Sequence, residues 1–147
     1  MFFAFEFSQD EILKLHGVEN MPWTYNKFDP DIKKNIEKLN LQNGIFLDLG
    51  TCSGNQAYYL SLKGFNVIGS DISEFAVQYA SNKYYKCKNL KFIVDDITNS
   101  GIDFKCDYIF DRGCFHTINS FKRVLYRENV CRIIKEKGIL FLKCMAK

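Results

Sequence analysis

The stretch FLDLGTCSGN, residues 46–55, runs an apolar segment into an acid, Asp48, and then sets Gly50 and Gly54 on either side of Cys52. Residues 45–49 form a short continuous apolar run, the pattern of a strand buried on both faces. Glycine permits positive φ and lets a ligand approach the backbone closely. A helix that starts just beyond offers free N–H groups. The alternative is a tight strand-to-helix turn of the kind every α/β chain needs. Two common ligand loops are absent. A dinucleotide fingerprint beginning at Gly50 requires glycine at 52 and 55, where Cys52 and Asn55 stand, and no Gly-Lys-Ser/Thr of a P-loop occurs. An acid beside the turn disfavours pyrophosphate and favours a cationic group, such as an ammonium or a sulfonium.

Working outward, the chain alternates helices and strands. Ser8 to Glu11 spells a capping box with Gly17 as the stop, and Asp29-Pro30 supplies an N-cap followed by proline at the first helical position. Ile32, Ile36 and Leu39 then recur at helical spacing. After the first strand, a helix is expected over residues 55–63, ended by Gly64, and a second strand over 65–70. Ser73 caps a helix whose Phe75, Ala76, Tyr79 and Ala80 face inward. Strands follow at 90–94 and 106–110, then a helix at 121–135 stopped by Gly138, and a fifth strand at 139–144. Apolar strands separated by amphipathic helices indicate a parallel sheet covered on both faces. In such a sheet ligands sit at the carboxyl ends of the strands, where strand order reverses.

The 147 residues make one domain, read as an N-terminal helical cover (1–43) and an α/β core (44–147). Hydrophobic residues at 47% support a packed core, and a net charge of +3 is low for a dedicated nucleic-acid binder. The basic stretch KYYKCK (83–88) reads as the solvated end of a helix, so no nucleic-acid partner is expected. The start, MFFAFEFSQDE, has no basic leader region and is too short to span a bilayer. Six cysteines occur with no C-x-x-C pair, consistent with reduced thiols, a cytoplasmic location and no membrane or metal site.

FLDLGTCSGN resembles the first motif of class I S-adenosylmethionine-dependent methyltransferases: an acid, an apolar residue, then glycines at alternate positions. Asp48, Gly50 and Gly54 match, and Cys52 departs at the middle glycine. The resemblance implies that this loop, with Thr51 and Asn55, wraps the methionine end of the cofactor. In GFNVIGSDIS it assigns Asp71, with Ile72 beside it, to the ribose hydroxyls; the alternative is that Asp71 caps the next helix, which Ser73 can do alone. In FIVDDITN it gives the adenine amino group to Asp96 and the ring to the Ile97 backbone, with Asp95 as the neighbouring alternative.

CDYIFDRGCFHTI (106–118) resembles a D-R-G-C-F-H signature of the thiopurine- and tellurite-type small-molecule methyltransferases. That places Asp111 and Arg112 in a loop near the transferable methyl. Asp111 or His116 is then the candidate general base, an imidazole being suited to proton transfer near neutral pH. Cys114 is either an acceptor-side thiol or inert packing. MPWTYNKFDP (21–30) resembles the Pro-Trp-Asp motif of the same group, with Thr24 in place of the acid. Trp23 either covers the pocket or is core.

The implied fold is a Rossmann-like doubly wound sheet of about five mostly parallel strands, order 3-2-1-4-5, with helices on both faces and the family's final two strands missing. The implied activity is methyl transfer from S-adenosylmethionine to a small-molecule acceptor. Because the chain stops after the fifth strand, a truncated cofactor-binding module or relic with little turnover is the alternative. An RNA or protein methyltransferase ranks behind both, since the charge is modest and no Asn-Pro-Pro-Tyr-like motif follows the fourth strand. A nicotinamide dehydrogenase ranks last. The apolar fifth strand, ILFLKC, is an expected sheet edge, either paired with a second copy in a homodimer or covered by MFFAFEF.

Overall fold

The five residues of β1 (Ile45–Leu49) are buried from Phe46 onward, and alternate side chains go to opposite faces of the sheet. Leu47 and Leu49 join one apolar cluster with Ile109, and Phe46 joins the other with Val67 and Phe110. In the computed structural model, which describes residue 1 and residues 6–144, β1 is the middle strand of five. The order is β3-β2-β1-β4-β5, and every pairing is parallel. This is the expected doubly wound sheet. The strands β2 (Asn66–Asp71) and β3 (Leu90–Val94) lie on one side of β1, and β4 (Cys106–Arg112) and β5 (Ile134–Lys143) on the other. Strand order reverses at β1, so the crevice opens between the carboxyl ends of β1 and β4.

Helices cover both faces. Ile32 and Ile36 of α2 (Pro30–Lys38), with Ala57 and Leu60 of α3 (Asn55–Leu62), pack on the Phe46 face. The opposite face is closed by Tyr126, Val130 and Ile133 of α6 (Arg123–Ile133). At the N-terminus, α1 (Gln9–His16) opens on the expected capping box: Glu11 N donates to Ser8 Oγ at 3.2 Å, and Ser8 N to Glu11 Oε2 at 2.7 Å. It packs against α4 (Glu74–Lys83), itself capped by Ser73.

Two boundaries differ from the sequence reading. β4 runs on to Arg112, so Asp111 and Arg112 end a strand instead of opening a loop. They pair in register with Leu142 and Lys143 of β5. A buried acid is accepted there because distant donors satisfy it, as described below. At the other end, Gly138 does not stop a helix. β5 begins straight after α6, and its register against β4 jumps from Cys106↔Ile134 to Tyr108↔Ile139. Lys137 takes a φ of 62° in this bulge, and a Cβ on Gly138 would lie 2.9 Å from the Asp107 carbonyl oxygen.

Among the described residues β5 has β4 as its only strand partner. The proposed covering segment MFFAFEF has residues 2–5 outside the described residues. No described helix is long and apolar enough to cross a membrane.

Gly54 is assigned a packing role by this fold. Its φ is +76°, and a Cβ there would lie 2.6 Å from Phe92 Cζ and 2.9 Å from the Ala80 Cβ. Gly54→Ala is therefore expected to destabilise the protein by about 3 kcal/mol, through left-handed backbone strain plus overpacking, read as a lowered urea midpoint.

Candidate functional site

The turn after β1 is held by its own polar groups. Thr51 Oγ1 donates to Asp48 Oδ2 at 2.7 Å, and Thr51 N to the Ser70 carbonyl at 2.9 Å. Gly50 sits at φ +66°, with the Cys114 Cβ 3.2 Å from where its own Cβ would be. Cys52 is also left-handed, at φ 48°. That explains the preference for glycine at this position, and a side chain there costs about 1 kcal/mol of strain. Two features offset the strain. Cys52 N donates to Asp71 Oδ2 at 2.9 Å, and the side chain packs with the Leu13, Val18 and Met21 cluster under the N-terminal segment.

Asp71, at the end of β2, receives Ser73 N on its other oxygen at 3.0 Å. Ser73 Oγ caps α4 through Ala76 N. Each Asp71 oxygen thus keeps a lone pair, since an ionised carboxylate offers about four acceptor sites. Ile72 beside it is 60% exposed. After β3 the two acids divide. Asp96 Oδ1 takes Thr98 N at 2.9 Å and Thr98 Oγ1 at 2.8 Å, capping a short 3-10 turn that buries Ile97. Asp95 Oδ1 takes Gly101 N, while its Oδ2 is buried without a partner among the described residues.

The end of β4 departs most from expectation. Asp111 is fully buried and does not line the cavity. Its oxygens accept Cys114 N at 2.7 Å, Phe115 N at 3.1 Å and Tyr126 Oη at 2.8 Å. It fixes the one-turn helix α5 (Cys114–Thr117) and is not placed to act as a base or to touch a cofactor. Arg112 turns toward the N-terminal segment. His116 stands exposed on α5 above Gly113.

These strand ends open into one cavity of about 410 Å³. Asp48, Gly50, Thr51, Cys52 and Asn55 line it from the first turn, and Asp71 and Ile72 from the second strand. Asp95, Asp96 and Ile97 line it from the third, with Arg112 and His116 from the fourth. Trp23, 46% exposed, lines its mouth and is not core. Gly54 and Asp111 are the expected site residues that do not reach it.

Four of the lining side chains are carboxylates, and Arg112 is the single Lys or Arg among them. Burial raises Asp48 to about 7; the nearby Asp111 and Asp71 charges add to this, and the Thr51 hydroxyl opposes it. Burial also raises Asp71. The Cys114 thiol is pushed up to about 12, by burial and by Asp111 and the other acids around it. Cys114 lines the cavity, and this shift favours its protonated, less nucleophilic form.

An acid at the end of each of three adjacent strands, all facing one cavity, is joined by similarity to known proteins. Residues 40–146 match the methyltransferase domain family. An uncharacterized methyltransferase of Schizosaccharomyces pombe is 30% identical over 116 residues, covering 77% of this chain and 79% of that protein. The chain belongs to the class I S-adenosylmethionine-dependent methyltransferase family. The probable thiol methyltransferase 2 of Arabidopsis thaliana is 29% identical over 122 residues, covering 81% of this chain and 54% of that protein. The crystal structure of an S-adenosylmethionine-dependent methyltransferase from Clostridium acetobutylicum superposes with a TM-score of 0.65 at 27% identity. That match covers 74% of this chain, which spans about half (46%) of the solved one.

The methyltransferase's cavity fits the family's cofactor. Asp48 and Asp71 face it from β1 and β2 with no cation paired to them among the described residues, Gly50, Thr51 and Cys52 line it, and Asp95 Oδ2 has no donor among the described residues. Asp95 and Asp96 both line the cavity, and Asp96 uses only its Oδ1 in the Thr98 cap. Gln56, which no sequence motif marks, also lines the cavity. Its amide ties α3 to the entry segment, through Lys27 O at 2.8 Å and Asp29 N at 2.9 Å. Its signal in the sequence was only its place next to Asn55.

Asp48 dictates a pH test. Its folded-state pKa is above its unfolded one, so the folded protein holds the extra proton between about pH 4 and pH 7. Stability from this group then falls as pH rises through that window and is lowest above it. Asp48→Asn is expected to raise the melting temperature by a few degrees at pH 8 and hardly at all at pH 4, read by circular dichroism melts.

Proposed function

We propose that the cavity binds S-adenosylmethionine and that the protein transfers its methyl group to a small-molecule acceptor, with thiols the class favoured. The reading rests on one observation above all: acids at the ends of β1, β2 and β3 line a single cavity beside a left-handed turn. In this reading the methionine end lies at the Asp48 turn, the ribose at Asp71 and the adenine near Ile72, Asp95, Asp96 and Ile97. When bound, the cofactor supplies a methyl group on a sulfonium, already activated for in-line displacement.

The chain's own part is to bind, orient and shield. Asp48 and Asp71 present negative charge to a cationic ligand from a desolvated wall, where attraction is little screened. Trp23 and Tyr25 line the mouth and limit the entry of water. Positioning supplies most of the acceleration such a displacement needs. His116, the imidazole lining the cavity, is the group available to take a proton from an acceptor that must lose one. A thiol acceptor is supported by the name of the Arabidopsis relative. It also suits a site whose imidazole lies at the cavity wall, because a thiol needs little activation.

Thermal melting with S-adenosylmethionine or its demethylated product, against NAD as control, tests the cofactor. Ligand at a hundred times its dissociation constant stabilises by about 2.7 kcal/mol, a visible shift. A shift with NAD and none with the methionine cofactors sinks the reading. Methylation of small thiols, followed by release of the demethylated product, tests the acceptor. A melting shift without turnover on any small acceptor leaves a binding module instead. His116→Ala is expected to lower turnover by about a hundredfold while leaving product affinity within twofold, measured by steady-state rates and calorimetry.

A further inference from the structure

Arg112 reaches out of the sheet to the segment that borders the cavity. Its Nε donates to Asp29 Oδ2 at 3.0 Å and its Nη1 to the Trp23 carbonyl at 3.2 Å. Its guanidinium lies 5.0 Å from the centre of the Tyr25 ring. Trp23 and Tyr25 both line the cavity mouth; Asp29 does not line the cavity at all. Asp29 is 1% exposed, and its Oδ2 also takes Lys143 Nζ at 2.9 Å. Its Oδ1 caps α2 through Asp31 N at 2.9 Å. Burial works against its charge, but Lys143, the Asp31 N–H and Arg112 outweigh this and hold it below the usual carboxylate range.

The entry segment is tied down at separate points. Gln56 on α3 holds the backbone of Tyr25, Lys27 and Asp29. The Trp23 carbonyl is held by Arg112. A guanidinium presents its donors in a rigid fork, so fixing Nε on a buried carboxylate also fixes the direction of Nη1. The aim of Arg112 at Trp23 is thus decided by a residue outside the cavity.

We propose that Asp29 is a positioning residue of this site: by fixing Arg112 it sets Trp23 and Tyr25 across the cavity mouth and so holds a bound ligand in place. The ligand part rests on the reading that the cavity takes S-adenosylmethionine; the placement of Trp23 does not. Trp23 is the only tryptophan, so its fluorescence reports this one point.

The test is acrylamide quenching of Trp23 in the ligand-free protein. Asp29→Asn keeps an acceptor oxygen for the α2 cap but loses the charge that orients Arg112. Arg112→Gln keeps Asp29 and its Lys143 partner but removes the link to Trp23. Both are expected to raise quenching. Lys143→Met removes the other cationic partner of Asp29, leaves Arg112 bound, and is expected to leave quenching near the wild-type value. Stopped-flow release of the demethylated cofactor is expected to be about tenfold faster in Asp29→Asn, because weakened hold shows chiefly in off-rates. Unchanged quenching in both Asp29→Asn and Arg112→Gln, or an equal rise in Lys143→Met, overturns the proposal. If Asp29→Asn does not fold, judged by its far-ultraviolet spectrum, Arg112→Gln against Lys143→Met decides. If the demethylated cofactor binds neither wild type nor variant, the functional reading fails, while the ligand-free quenching still decides the placement of Trp23.

Discussion

Asp111 is fully buried at the end of β4, and its two oxygens gather the backbone of Cys114 and Phe115 with the Tyr126 hydroxyl. Much of the site depends on this arrangement. The backbone bonds set the start of α5, which carries Cys114 and His116. Cys114 then lies against Gly50, so the loop after β4 and the turn after β1 fix each other across the crevice. Tyr126 draws α6 into the same point, and α6 closes one face of the sheet. A buried carboxylate without these donors would be strongly unfavourable. With them it becomes the junction between core and site.

The cavity also carries an imbalance of charge. Its acids come from β1, β2 and the β3 end, while its one guanidinium is directed at the entry segment and partly neutralised by Asp29. Asp29 answers two cations, one from β4 and one from β5, from the N-cap of α2. The N-terminal segment is thereby tied to the strand ends that border the site. Among the described residues, the carboxylates facing inward have no such partner. Their compensation comes from backbone N–H groups and the Thr51 and Thr98 hydroxyls, which leave net negative charge on the wall.

The sheet was legible in the sequence because its signals are local. Continuous apolar runs, the Ser8 and Ser73 caps and Pro30 at a helix start state their own structure. The site was legible as far as backbone conformation and strand-end position go: Asp48, Gly50, Cys52 and Asp71 reach the cavity. The misreadings turn on distant partners. Asp111-Arg112 looks like a loop until Tyr126, fifteen residues on, is placed beside it. Gly54 looks like a ligand glycine until Phe92 and Ala80 arrive from another strand and helix. Gly138 has the form of a helix stop, but the Asp107 carbonyl of the neighbouring strand, with Ile134 and Lys135 of the bulge itself, is what excludes a side chain there. The hydrogen bonds that distinguish Asp95 from Asp96, from Gly101 and from Thr98, are not assigned by spacing alone.

The elevated Asp48 carboxyl ties ligand binding to proton traffic. A cation entering the cavity favours the ionised form of this group, so in mildly acidic solution the protein must shed a proton as the ligand arrives. Affinity for a cation then climbs with pH until Asp48 is already ionised and levels off above about 7. The heat of binding takes on the ionisation enthalpy of whatever buffer accepts that proton. A ligand of the same shape without positive charge at this point gains less from Asp48.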